Sequence, residues 1–249
     1  MKPAVAVSAI VITRNEEDRI EACLAQAAQV AAEIVVVDAH STDRTVDIAR
    51  RFTSKIFVRE WAGYGPQKQF AIAQCSHEWI LWIDADERVP PELAREICEL
   101  DFSLAGYDVP RKVFYLGRWI RHCGWYPGYV LRLFDRRHAS LNNALVHESV
   151  TVNGRRGKLH AALHHYPYRS IGHHLAKMND FTDLAARQMH AEGRRASPAG
   201  AAARGLAKFL AMYVQKRGFL DGAPGFIASV LGGCYVFLKY AKLYELQKK

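Results

Sequence analysis

Short unbroken apolar runs alternate along the chain with stretches whose apolar residues recur every three or four positions. Residues 4–12 are β-branched and apolar, stop at Thr13-Arg-Asn-Glu, and lead into a predicted helix over 18–31 with Ile20, Cys23, Leu24, Ala27 and Ala28 at helical spacing. Glu33-Ile-Val-Val-Val-Asp38 follows directly, so strand, helix and strand with short links read as a parallel βαβ unit, with Asp38 at the same sheet edge as Thr13 and Asn15. Ser41 or Thr42 is expected to cap a helix through Val46, Ile48 and Ala49, and residues 55–58 form a third strand. The glycine-rich stretch from Trp61 becomes a helix over 67–75 with Lys68 in its first turn. The helix dipole disfavours a cation there, which points to an anionic partner for Lys68, with a solvated lysine as the alternative.

The sharpest change of character comes at Trp79-Ile-Leu-Trp-Ile-Asp-Ala-Asp-Glu-Arg88. An apolar run that ends abruptly in charges reads as a strand buried on both faces, and ligands of open α/β sheets bind at the carboxyl ends of such strands. Asp84, Asp86 and Glu87 are expected at that edge, Asp84 and Asp86 on one side of an extended chain and Ala85 on the other. Two carboxylates that close repel unless a cation neutralises them, and hard oxygen donors suit Mg²⁺ or Mn²⁺. Acids at the start of the helix over 91–100 are the plain alternative.

From 107 to 152 the runs are short and punctuated by Gly and Pro, with Arg111, Arg118 and Arg121 interleaved among Phe114, Tyr115 and Trp119. Such interleaving suits RNA or a phosphorylated sugar; without a ribonucleoprotein aromatic motif, the sugar is preferred. His147-Glu148 and His164-His165 stand at the ends of strand-like runs. The last third is helical: an apolar stripe over 171–192, a helix from Ser197-Pro198 to 217, and a break at Gly218-Phe-Leu-Asp-Gly222. A final apolar run of fourteen residues over 225–238 falls short of the roughly 20 that span a bilayer. It suffices to lie in a membrane surface, or to pack on the domain or a second subunit.

Composition adds two constraints. A net charge of +9 and a pI near 9.4 call for an anionic partner. Five scattered cysteines, an odd number, argue for free thiols in a reducing compartment, and the amino-terminal run lacks the core of a signal peptide, so a cytoplasmic location is expected.

Taken in order, Val11-Ile-Thr-Arg-Asn-Glu-Glu, Ile34-Val-Val-Val-Asp38 with Ser41-Thr-Asp43, and Trp82-Ile-Asp-Ala-Asp86 resemble the family 2 glycosyltransferases of the GT-A fold. Leu131-Arg-Leu-Phe134, Val146-His-Glu148, His165-Tyr-Pro-Tyr168 and Gly218-Phe-Leu-Asp-Gly222 look like the subgroup of bacterial lipopolysaccharide core β-1,4-glucosyltransferases. The resemblance implies an α/β, Rossmann-like, mostly parallel sheet flanked by helices, with a helical C-terminal extension. The expected division is a catalytic domain over 1–168, with a nucleotide-sugar half over 1–100 and an acceptor half over 101–168, then a helical C-terminal region over 169–249 that associates with a membrane or packs on the domain or a second subunit. The implied reaction is a metal-dependent inverting transfer of glucose from UDP-glucose to an inner-core heptose of lipopolysaccharide. Another lipid-linked or surface polysaccharide acceptor, or a non-catalytic polyanion- or RNA-binding module, are the alternatives.

By the same resemblance Thr13, Asn15, Glu16, Asp38 and Ser41 line the nucleotide pocket, Lys68 lies near the ribose or diphosphate, and Asp84 touches the ribose side. Asp86 would ligate a divalent Mg or Mn, with His165 completing the metal site and His147 and His164 still open. Glu148 is the expected general base, Asp135 the second choice, and Arg132 joins Lys68 at the leaving group. The expected partners are a UDP-sugar donor, a lipid-anchored oligosaccharide acceptor and the anionic cytoplasmic face of the inner membrane, with no nucleic acid.

Overall fold

The computed structural model describes residues 5–141 and 150–248. In chain order the strands and helices of the first part are β1 (Val7–Thr13), α1 (Ile20–Ala27), β2 (Glu33–Asp38), α2 (Thr45–Ala49), β3 (Ile56–Val58), α3 (Tyr64–Ala73), β4 (Trp79–Asp84), β5 (Glu87–Arg88) and α4 (Pro91–Cys98). Then come β6 (Gly106–Tyr115), β7 (Arg118–Ile120), β8 (Gly128–Asp135), β9 (Ala139–Leu141), β10 (Val150–Val152), β11 (Arg156–Lys158) and β12 (Leu163–His165), before α5 (Ile171–Ala191), α6 (Pro198–Leu210) and α7 (Gly222–Leu246). Two compact units result: Met1–Arg111 with Tyr129–His165, and Lys112–Gly128 with Tyr166–Lys249. The second unit takes in the hairpin of β7 along with the helices.

In the first unit the main sheet runs β3-β2-β1-β4-β8-β6-β12-β5 among the described residues. Its β3, β2, β1 and β4 are mutually parallel, and β8 joins β4 antiparallel. Alternation sorts the central side chains into two apolar layers. Val7, Ala9, Val11, Val36, Leu81 and Ile83 pack with α1 and α4 through Leu24 and Leu93, while Ile10, Val35, Val37, Ile80 and Trp82 pack with Ala71 of α3 and with Phe134. Helices on both faces are why these strands read as continuous apolar runs rather than as alternating ones.

Three local expectations change. The helix expected over 18–31 is only Ile20–Ala27, because Ala28 to Val30 turn down towards β2. Neither Ser41 nor Thr42 caps α2, whose N-terminal flank is Arg44 with no side-chain cap; Ser41 is drawn into the preceding turn instead. The glycine-rich segment helps to start α3 three residues early: Gly63, at φ +104°, is its N-terminal flank, a conformation side chains other than glycine's rarely tolerate.

In the second unit the end of β6 pairs with β7 as an antiparallel hairpin, and Val113, Tyr115, Ile120 and Cys123 pack with Met212 and Ala228. Ser197 caps α6 by accepting from the Gly200 N–H, and Pro198 takes the first helical position, as expected. After a π-helical turn over Ala211–Gln215, the Gly218–Asp221 turn reverses the chain into α7. Helices α6 and α7 approach at Gly205 and Gly233, where a Cβ on either would lie about 3 Å from the other's carbonyl oxygen. The apolar run judged too short to span a bilayer belongs to a longer helix. Gly218–Leu246 has 29 residues and a mean hydropathy of 1.3 in its most apolar window, long and apolar enough to cross by length and composition. The run continues past Lys239 and Lys242 because their long side chains interrupt the composition without interrupting the backbone pattern.

Candidate functional site

The carboxyl ends of β1, β2 and β4 share one edge because the three strands are parallel and in register, with Thr13 opposite Asp38 and Ile12 opposite Asp84. The turns leaving that edge are laced together. Buried Asp38 accepts from the Ser41 N–H at 2.8 Å and the Ser41 hydroxyl at 2.5 Å. Ser41 Oγ accepts from the Asn15 N–H, and Asn15 Oδ1 accepts from the Thr42 N–H, each at 2.8 Å. The Glu16 N–H donates to Thr45 Oγ1 at 2.8 Å, while Asp43 accepts from Thr45 and from the Glu17 N–H. Burial alone would raise the Asp43 carboxyl; the bonds from Thr45 and Glu17 hold it below its ordinary value. Asn15 and His40 both take φ of +53°, so each turn is bent at a left-handed residue. Thr13, Asn15, Glu16, Asp38 and Ser41 are thus gathered in one place, and Thr13 Oγ1 is buried there without a hydrogen-bond partner.

Around the acidic corner the geometry departs from the simple alternation. Strand β4 ends at Asp84, and Ala85-Asp86 form a turn into β5, so the chain is not extended between the two aspartates. Asp84 is paired with Arg132 at 2.6 Å and Lys68 at 3.3 Å, and accepts from the Trp82 indole N–H at 3.2 Å. Burial pushes this carboxyl up, but Arg132 and Lys68 outweigh it and hold it well below the usual carboxylate range. Lys68 lies in the second turn of α3, buried, with its ammonium 4.0 Å from the centre of the Trp82 ring. The expected anionic partner of Lys68 therefore includes a protein carboxylate.

Glu87, expected at the open edge, is fully buried instead. It accepts from the Asp84 N–H at 3.0 Å and pairs with Arg132 at 2.6 Å and Arg111 at 3.5 Å. Its strand β5 pairs antiparallel with β12, in the register His165 opposite Glu87 and His164 opposite Arg88. That ladder sets His165 Nε2 3.5 Å from Asp86 Oδ1, each side chain 13 % exposed. His165 Nδ1 and Arg132 Nε are buried without hydrogen-bond partners. A carboxylate and an imidazole this close are donors that would suit a divalent cation. Among the described residues no group of three or more His, Cys, Asp or Glu side chains could hold a metal ion. Three cations, Lys68, Arg111 and Arg132, here meet two carboxylates, Asp84 and Glu87.

Residues 8–151 match the family model of Glycosyl transferase family 2. The chain belongs to that family. An uncharacterized glycosyltransferase of Rickettsia typhi is 32% identical, over 98% of this chain and 88% of its own length. A lipopolysaccharide core biosynthesis glycosyltransferase, LpsC of Rhizobium meliloti, is 30% identical, over 98% of this chain and 94% of its own. The structure of S. aureus TarS 1-349 in complex with UDP-GlcNAc superposes with a TM-score of 0.50 at 15% identity, over 98% of this chain and 91% of that one. The fold of this glycosyltransferase is GT-A, as its motifs imply.

Glu148 and His147 lie outside the described residues. Asp135 is corrected as an alternative base: antiparallel β8 places it opposite Trp79, at the other end of β4 from Asp84, roughly 17 Å away along the strand, where Arg137 pairs with it. Cys23 lies beneath the corner, its Sγ 3.6 Å from the Asp84 carbonyl, and burial pushes its thiol up to about 12, so it stays protonated. Two residues of the glycosyltransferase's corner escaped the sequence pattern. Trp82 forms its floor, a role its alternation with Asp84 on one strand face foreshadows. Gln67 is fully buried next to Lys68, its Nε2 donating to the Glu60 carbonyl while its Oε1 lacks a partner. Nothing in sequence distinguishes it from a surface glutamine.

Proposed function

We propose that the glycosyltransferase moves a sugar, glucose from UDP-glucose, to an inner-core heptose of lipopolysaccharide at the cytoplasmic face of the inner membrane. The juxtaposition of His165 and Asp86 beside the Lys68–Asp84–Arg132 cluster carries the reading, since it sets two donors for a cation next to Lys68 and Arg132. The likeness to the Rhizobium meliloti protein, whose name assigns it to lipopolysaccharide core biosynthesis, supports the acceptor class.

In this reading Thr13, Asn15, Glu16, Asp38 and Ser41 hold the nucleoside, and the orphaned Thr13 hydroxyl donates to it. Asp84, locked by Arg132 and Lys68, accepts from the ribose. Asp86 and His165 would hold a Mg²⁺ or Mn²⁺, which would supply neutralising charge for the diphosphate. Lys68 and Arg132 reinforce this as the UDP oxygen takes up negative charge, stabilising the transition state more than the ground state. Glu148 takes the proton from the acceptor hydroxyl, which attacks the anomeric carbon in a single inverting displacement.

Two variants test the assignment. Asp86→Ala is expected to abolish metal-dependent UDP binding, measured by calorimetry with Mn²⁺ present and absent; undiminished binding refutes the cation site. Glu148→Gln is expected to retain UDP binding and lose sugar transfer, and normal transfer removes Glu148 as the base.

A further inference from the structure

We infer that the α6–α7 turn of the second unit is a membrane-inserting surface that seats on anionic phospholipid. The inference rests on the proposed membrane location and names the surface that serves it. Helix α6 and the π-helical turn that continues it are apolar on two faces. Ala201, Gly205 and Met212 are buried, whereas Leu206, Leu210 and Val214 are 61%, 44% and 54% exposed. A helix that is apolar on a second face has a second partner. The exposed stripe continues through Phe219, Leu220 and Phe226, each about half exposed. Tyr213 gathers the rings, with its centroid 5.5 Å from those of Phe209 and Phe226 and 6.2 Å from that of Phe219. This preformed aromatic knob loses little side-chain entropy on insertion.

Charge selects the partner. Between Glu192 and Asp221 the chain carries six cations, Arg194, Arg195, Arg204, Lys208, Lys216 and Arg217, and no acid. All six are exposed, and Asp221 is buried. Basic side chains flanking exposed aromatic and aliphatic ones suit the headgroup region of an anionic bilayer, whereas a second copy of the same face would bring like charges together.

Helix α7 is long enough to cross a bilayer, but its packing within the second unit opposes that. The Asp221 carboxylate at its amino end accepts from the backbone N–H groups of Arg121 and His122, and Ala228 packs with Ile120. Gly205 packs on Gly233, midway along α7, so a crossing α7 would draw the neighbouring Arg204 and Lys208 of α6 into hydrocarbon, which is costly. Insertion at the interface keeps them wet.

The test is co-sedimentation of the full chain with phosphatidylcholine vesicles, with and without phosphatidylglycerol. Wild type is expected to bind only the anionic vesicles, and added salt to release it. Phe219→Ala/Leu220→Ala should weaken binding on the order of tenfold or more, and Lys208→Glu/Lys216→Glu/Arg217→Glu on the order of a hundredfold at low salt. Both should keep the wild-type unfolding midpoint and rate of UDP-sugar hydrolysis; Leu206→Gln gives a third, independent probe of the stripe. Absence of wild-type binding, or equal binding by wild type and all three variants, overturns the inference. So does a dimer that the Phe219/Leu220 variant dissolves while vesicle binding is unchanged. Vesicle binding that follows the expected order in a chain that neither hydrolyses UDP-sugar nor transfers sugar from it to a lipopolysaccharide acceptor leaves this surface standing and removes the catalytic reading.

Discussion

The sheet unit and the helical unit leave opposite things unsatisfied. At the carboxyl edge of the sheet, Thr13 Oγ1, Arg132 Nε and His165 Nδ1 are buried polar atoms without partners, amid charges that are closely paired. In the helical unit the buried carboxylate, Asp221, is well supplied with N–H donors, and what remains uncovered is apolar: Leu206, Val214, Phe219 and Leu220. Unmet hydrogen-bonding capacity calls for a polar ligand and unmet apolar surface for an apolar one. One chain thereby advertises two kinds of partner in two places.

By this contrast, removing a charge should hurt the sheet unit far more than the helical one. Arg132→Ala leaves Asp84 and fully buried Glu87 without their closest cation, and is expected to cost about 3–5 kcal/mol in urea unfolding. Adding Asp84→Asn and Glu87→Gln should restore much of that loss; a single variant as stable as wild type would break the comparison. Next in size is an acid effect at Glu33. Burial raises its carboxyl, but hydrogen bonds from Lys55, Ser8 and Ser76 outweigh this and bring it down to about 2. A depressed folded-state value stabilises the protein above the unfolded value near 4.5, and this is lost as the pH falls towards 2. On the order of 2 kcal/mol should disappear over that window in wild type and be absent from the same window in Glu33→Gln, measured by unfolding at stepped pH. Smaller still, Ser197→Ala removes the cap of α6 and should cost about 1 kcal/mol. Lys208→Ala in the same helix should stay within about 0.5 kcal/mol in unfolding, since an exposed side chain there contributes little to the fold itself.

Local pattern carried most of the sheet. The runs at β1, β2 and β4 are unambiguous because each is buried on both faces, and parallel register then follows from the short βαβ links, which aligns Thr13, Asp38 and Asp84. Where pattern failed, a distant contact decided. Glu87 looks like its neighbours Asp84 and Asp86 in sequence, yet pairing with β12 buries it and Arg132 neutralises it. Ser41 has the chemistry of a helix cap and equally that of a turn, and only the approach of Asn15 and Asp38 decides between them. The grouping of Lys112–Gly128 with the helices rests on buried contacts such as Tyr115 with His174, which no local periodicity encodes.

The two-residue ladder between β5 and β12 has a consequence for how the protein comes into being. Closing so long a loop for two paired residues is entropically unfavourable unless the strands between them are already in place. His165 is therefore expected to reach Asp86 only once the remainder of the sheet has formed. A nascent or partly unfolded chain would hold every strand of the parallel core and still lack the His165–Asp86 contact, so under the proposed function that ladder acts as a checkpoint between folding and chemistry.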